Sequence, residues 1–252
     1  MKHLVFISWV FTLFFAQPLS AKSLTLSVDE RDWVPFTFQK AGISTGMHIE
    51  LVTHALQKLG YGVKIIPYPR KRAIHNAKSG IVDGMVSIAF HPALSSTLIF
   101  PKDAAFEKES AWRIMQVDHV LITPKTGFEY SGDLKTLPLP VRIPSGETIS
   151  LNLKNAGLKV DEARSDLINV KKMNRDGDGS VVATSIMAER LNEDPEFADK
   201  IKIHATPISS QSYYLAFSRV SPLSYEEKQQ IWDEIQKWRN DYVFMLQVYA
   251  TY

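Results

Sequence analysis

Cysteine is absent from all 252 residues, which removes disulfides, thiol nucleophiles and cysteine-held metals together. Past the first stretch of the chain, no apolar run approaches the ~20 residues that a membrane-spanning helix needs. Low-complexity tracts and internal repeats are missing too. Charge of one sign is also lacking: 29 Lys and Arg stand against 27 Asp and Glu. Nothing in that balance points to nucleic acid or an anionic membrane as partner. The histidines show no i, i+4 or His-x-His pairing, and Gly-x-Ser-x-Gly does not occur, so neither a metal site nor a hydrolase is expected. No cofactor is expected either.

What is present begins with a leader-like segment. Lys2 and His3 precede an apolar run from Leu4 to Phe15, and Gln17-Pro-Leu-Ser-Ala21 follows with small residues at its end. A positive start, an apolar core of about a dozen residues and a short polar exit read as a secretory signal peptide over 1–21. Export to the periplasm is the expected fate. Residues 22–252 have room for one large domain or two lobes of ~100 residues each.

Apolar periodicity then gives the fold class. Leu51, Val52, Ala55, Leu56 and Leu59 follow the stripe of a helix with one buried face, and Gly60 supplies its left-handed stop. Val63 to Ile66 reads as a strand. Pro69 suits the first turn of a second helix, which turns Ala73, Ile74 and Ala77 inward before Gly80. Ile81 to Ile88 is nearly continuous apolar sequence, as a strand covered on both faces requires. Alternation of this kind predicts α/β architecture around a parallel sheet, with any ligand beyond the carboxyl ends of the strands. Near the end of the chain, Ser224 and Glu227 form a capping box, and Ile231, Ile235, Trp238 and Tyr242 share one helix face.

A set of short motifs goes further. Gly46-Met-His-Ile-Glu-Leu51 with Lys58-Leu-Gly60, the Pro35-Phe36 loop, Lys78-Ser-Gly-Ile-Val-Asp83-Gly84 and Ser87-x-x-x-x-Pro92 occur in that region. Phe100, Gly146-Glu-Thr148 and Tyr213-Tyr-Leu-Ala-Phe-Ser-Arg219 continue the series. Their order and spacing resemble the bacterial extracellular solute-binding proteins of family 3, the polar amino-acid-binding proteins of ABC importers. The resemblance implies two α/β lobes that close on a small solute: lobe one from 22–120 plus 215–252, lobe two from 121–214. Two crossovers are expected, at 120–124 and 208–214. It also implies a monomer that serves an ABC permease, or alternatively a membrane sensor that reads the same closed form.

Two family marks are missing. The arginine that grips an α-carboxylate falls on Leu94, and the acid that takes the α-ammonium falls on the Thr184-Ser185 pair. An ordinary α-amino acid is therefore not the expected ligand. The candidate ligand-binding residues are Trp33, Arg72, Ser87, Gly146 and Thr148. Trp33 matches the family's stacking aromatic, with a core anchor as its alternative. Arg72 is carried as a replacement anion grip, while Arg70 and Lys71 read as solvated charges. Ser87 would present a hydroxyl at a strand end. Gly146 and Thr148 open a helix whose N-terminus favours an anion.

Asn174-x-Asp176-x-Asp178-Gly179 copies the first half of an EF-hand loop, but Ser185 stands where the bidentate Glu belongs, so a polar turn is the default. The resemblance leaves a periplasmic lyase as a further alternative, since a few relatives of the fold are dehydratases, but an enzyme is not expected: Glu147 is the only acid placed like a general base, and no partner accompanies it.

Overall fold

The computed structural model describes residues 22–125, 127–145 and 148–252; the expected leader lies outside them. Along the chain come β1 (Ser23–Asp29), the short hairpin of β2 (Phe38–Lys40) and β3 (Ile43–Thr45), α1 (Met47–Lys58), β4 (Gly62–Tyr68), α2 (Arg70–Ser79) and β5 (Gly84–Ala89). A single turn α3 (Pro92–Ser95), the two-residue β6 (Leu98–Ile99) and the long β7 (Met115–Pro124) follow. The remainder is β8 (Val141–Pro144), α4 (Thr148–Asn155), β9 (Val160–Ala163), α5 (Asp166–Asp176), β10 (Ser180–Thr184), α6 (Ser185–Glu193), β11 (Ile201–Ile203), β12 (Ser209–Ser218), α7 (Tyr225–Asn240) and α8 (Tyr242–Thr251).

Ten strands form one curled sheet with the path β4-β1-β5-β12-β7-β10-β8-β9, β6 and β11 pairing at its side. β1 runs parallel to β4 and β5, while β8 runs parallel to β9 and β10. Between these two parallel groups lie β12 and β7, which pair antiparallel with each other from Met115–His119 against Ser209–Tyr213. Each half thus repeats one plan, a parallel three-strand unit flanked by an antiparallel strand.

The buried apolar side chains follow the same division. One cluster packs Leu24, Leu26 and Leu215 of the sheet against Leu51, Ala55, Trp232 and Ile235 of α1 and α7. A second sits on the other face, with Ala73 and Ala77 of α2 against Met85, Ile88 and Tyr214. Two further clusters cover β7 and β10 from both sides, and one of them also takes Val141 and Ile143 of β8. A strand covered on both faces must be apolar at every position, and Val181-Val-Ala183 is. Partly buried Ile186 of α6 packs against the first cluster.

The capping box at α7 forms as read: Ser224 Oγ accepts from Glu227 N at 3.1 Å, and the Glu227 carboxylate accepts from Ser224 N at 2.7 Å. The helix is shorter than its apolar pattern. Asp241 ends α7 and, by accepting from Phe244 N at 2.9 Å, starts α8. Tyr242 therefore leaves the inward face expected of it and is 75% exposed. Among the described residues no helix is long and apolar enough to cross a membrane.

Candidate functional site

Residues just past the carboxyl ends of the parallel strands gather along one cleft. Arg31 follows β1, Arg70 follows β4, Phe90 and His91 follow β5, Ser145 follows β8 and Arg164 follows β9. This is where a parallel α/β sheet leaves room for a ligand, because the loops there are free of the sheet. A cavity of about 670 Å³ is lined by Arg31, Arg70, Phe90 and Leu94 from one side, and by Leu151, Lys154 and Glu162 from the other. A deeper cavity of about 90 Å³ shares Arg31, Arg70 and Tyr213 with it and adds Trp33, Ser87 and Arg164.

The floor of the cleft is aromatic. Trp33 opens a tight turn, its N–H bonded to Thr37 O at 2.7 Å and its carbonyl accepting from Phe36 N at 2.8 Å. Its ring lies 4.5 Å from that of Phe36 and 4.9 Å from that of Tyr213, with His48 edge-on at 5.7 Å. Trp33 is thus both a packing anchor and a cavity wall. Gly46 permits this crowding: at φ 119° its absent side chain leaves room for Phe36 O, which a Cβ would meet at 2.4 Å. Met47 and His48 at the start of α1 then donate to Pro35 O and Phe36 O.

Ser87 reaches the deeper cavity from within β5 in a left-handed conformation, φ 63°. Its hydroxyl lies 2.8 Å from His48 Nδ1. The pairing has the outline of a nucleophile and base, but its chemistry does not match. His48 is fully buried, and burial pushes its pKa down to about 3. Among the described residues its Nε2 meets no hydrogen-bond partner, so none of their carboxylates orients it as a catalytic base requires. The pair is suited to fixing a hydroxyl at the cleft.

Arg72, by contrast, is exposed on α2 and lines neither cavity. Arg70 faces the cleft, 3.7 Å from Asp29, whose carboxylate also takes Arg31 Nη2 at 2.7 Å. A helix advances 100° per residue, so two positions separate a cleft-facing side chain from a solvent-facing one. Leu94 does line the larger cavity. Thr184 lines a third, small one, and its hydroxyl accepts from Met187 N at 3.4 Å as the cap of α6. Gly146, Glu147 and the Thr148 side chain lie outside the described residues; α4 begins at Thr148.

The half EF-hand is organised around a side chain. The buried Arg142 guanidinium donates to Asp178 O at 2.7 Å, to the Asp178 carboxylate at 2.9 Å and to that of Asp176 at 3.0 Å. Gly179, at φ +74°, allows the approach, since a Cβ there would come within 2.5 Å of Arg142 Nη1. Among the described residues no cluster of His, Asp or Glu is arranged to hold a metal ion.

Sequence reading missed Arg31, Arg70, Arg164 and Tyr213 as cleft residues. The signal for the three arginines was their place directly after parallel strands.

No family model and no curated protein sequence matches the chain. Solved structures do. The ligand-binding core of GluR0 from Nostoc punctiforme, in complex with L-glutamate, superposes with a TM-score of 0.65 at 16% identity, covering 90% of this chain and 98% of that one. The L-cystine solute receptor of Neisseria gonorrhoeae, in its unliganded open conformation, gives 0.64 at 13% identity, with 92% of each chain covered. A histidine kinase sensor domain with similarity to periplasmic binding proteins gives 0.65 at 15%, covering 91% and 95%. The fold is the two-lobed α/β fold of the periplasmic binding proteins.

Proposed function

We propose that this chain is an exported solute-binding protein that closes on a small polar solute for ABC-type uptake. Lobe one comprises residues 22–120 and 215–252, lobe two residues 121–214, and β7 and β12 carry the crossovers between them. The supporting observation is the cleft itself, walled by α2 and the end of β5 on one side and by α4 and β9 on the other. Solute entering the open cleft meets Trp33, Tyr213 and the Ser87 hydroxyl, and shifts the population toward a closed form that a permease recognises. Because Leu94 and Thr184 stand where the family's two charges belong, simple α-amino acids should bind poorly. Only binding is required; no bond is made or broken.

A thermal-shift screen of residues 22–252 against amino acids, carboxylates, amines, short peptides and sugars tests the reading. A ligand at 100 times its dissociation constant adds ~2.7 kcal/mol to folded-state stability, a clear rise in Tm. Tight calorimetric binding of glutamine, arginine or histidine would instead restore an amino-acid ligand.

A second reading is favoured by one neighbour, the histidine kinase sensor domain: the closed form is read by a membrane receptor instead of a permease. Genes beside this one, encoding a permease and ATPase or a sensor kinase, separate the two.

A further inference from the structure

We infer that the cleft is built for a small multivalent anion, with two or more carboxylate or phosphate groups on an apolar body. The inference rests on the solute-binding reading and names its ligand class. The whole chain is almost balanced in charge, with a formal net charge of +2, but the walls of the two joined cavities are not. Among the described residues they carry six cations, Arg31, Arg70, Lys71, Lys78, Lys154 and Arg164, against three carboxylates, Asp29, Asp32 and Glu162. The carboxylates are already engaged. Asp29 holds Arg31 and Arg70, Glu162 holds Lys154 at 2.7 Å, and Asp32 accepts from Gln39 N at 2.9 Å. Lys71, Lys78 and Arg164 have no ion-pair partner among the described residues, whereas Arg31 and Arg70 share Asp29 and Lys154 has Glu162.

These cations come from both walls. Lys71 and Lys78 lie on α2, and Arg164 lies beyond β9 across the cleft. Like charges facing each other oppose closure. An anion between them removes that repulsion, and it gains more in the closed form than in the open one, which is the differential affinity that closure requires. Phe90, Leu94 and Leu151 between the charges favour an apolar middle over a sugar-like one. A cavity of about 670 Å³ lies within the ~300–1,000 Å³ range of sites for drug-sized ligands.

The test is calorimetry on residues 22–252 with benzene-1,3,5-tricarboxylate, citrate and butane-1,4-diyl bisphosphate, with benzene-1,3,5-tricarboxamide and glucose as neutral controls and glutamine as a zwitterionic one. Both lysines are at the surface, so Lys71→Gln/Lys78→Gln should fold normally. The expected result is saturable binding of at least one polyanion, weakened about tenfold or more in the double variant. Weakening by ~0.5 M salt should follow as the charges are screened, with no binding of the neutral controls. Preference for the carboxylates or the bisphosphate identifies the head group, and either supports the inference. Anion binding unchanged by the double substitution overturns it. So does a neutral or zwitterionic solute that binds while every polyanion fails, which leaves the solute-binding reading standing. Failure of every anionic, neutral and zwitterionic solute overturns both.

Discussion

Ser87 Oγ lies 2.8 Å from His48 Nδ1, and Ser87 holds a backbone φ of 63° to place it there. Left-handed backbone costs a residue with a Cβ roughly 1–2 kcal/mol, so the contact fixes a strained point within β5 beside the cleft. Ser87→Ala and Ser87→Gly both strip Nδ1 of its partner, at ~1–3 kcal/mol, but only glycine relieves the backbone. We expect Ser87→Gly to be the more stable of the two by about 1 kcal/mol, read from urea midpoints. Equal midpoints would show that the left-handed turn stores no strain.

Acid should weaken the fold well above the carboxylate range. Burial holds His48 at about 3 and His119 at about 4, whereas the unfolded chain protonates both near 6.5. Between those values the unfolded state binds more protons, so stability rises with pH there. It is fully present above about 6.5 and is lost as pH falls. Going from pH 7 to 5 should cost on the order of 3–4 kcal/mol for the two together. His119→Asn should roughly halve the loss. Urea unfolding at both pH values measures it, and identical pH slopes in variant and parent would contradict the assignment.

Trp33 is wall and anchor at once, so its removal should show in two readouts. Trp33→Ala should weaken solute binding by ~1–3 kcal/mol and also lower stability through lost contact with Phe36 and Tyr213. Trp33→Phe should recover most of the stability while changing the fluorescence response to solute. Undiminished binding in Trp33→Ala would remove the ring from the site.

Arg142 should matter more than its distance from the cleft implies. Arg142→Met keeps the volume but removes the cation that Asp176 and Asp178 hold and that Asp161 meets at 3.7 Å, leaving Asp161 to Lys172, Asp176 to Arg175 and Asp178 without a cation. Breaking a buried pair costs ~3–5 kcal/mol; since these carboxylates reach solvent, about 2 kcal/mol is expected, read from thermal or urea unfolding. Added salt should recover part of it by screening the acids. A loss that ignores salt would place the effect in packing instead.

Local order was legible where one element carries its own signal. The stripe of α1, the apolar strands and the Ser224–Glu227 box all depend on residues within a turn or two of each other. The boundary at Asp241 was missed because the apolar residues run on past it and only the side-chain cap marks the break. The cleft was legible in part. Trp33, in the loop after β1, and Ser87, within β5, were candidates from the sequence and line the smaller cavity. Choosing between Arg70 and Arg72 needed the helix phase relative to the sheet, which tertiary packing decides. Arg142 was not legible at all, since its partners Asp176 and Asp178 lie 34 and 36 residues away.

The guanidinium at the heart of the 174–178 loop makes that turn self-sufficient. A calcium-held loop is ordered only while the surrounding medium supplies the ion, whereas a tethered cation is present at a fixed concentration whatever the medium contains. The segment that ties α5 to the central strand β10 should therefore keep its shape in hard or soft water alike, and chelators should leave its melting temperature untouched. Evolutionary loss of Arg142 would expose the turn to that dependence: Asp161 and Asp176 would keep Lys172 and Arg175, while Asp178 would be left in search of a counterion.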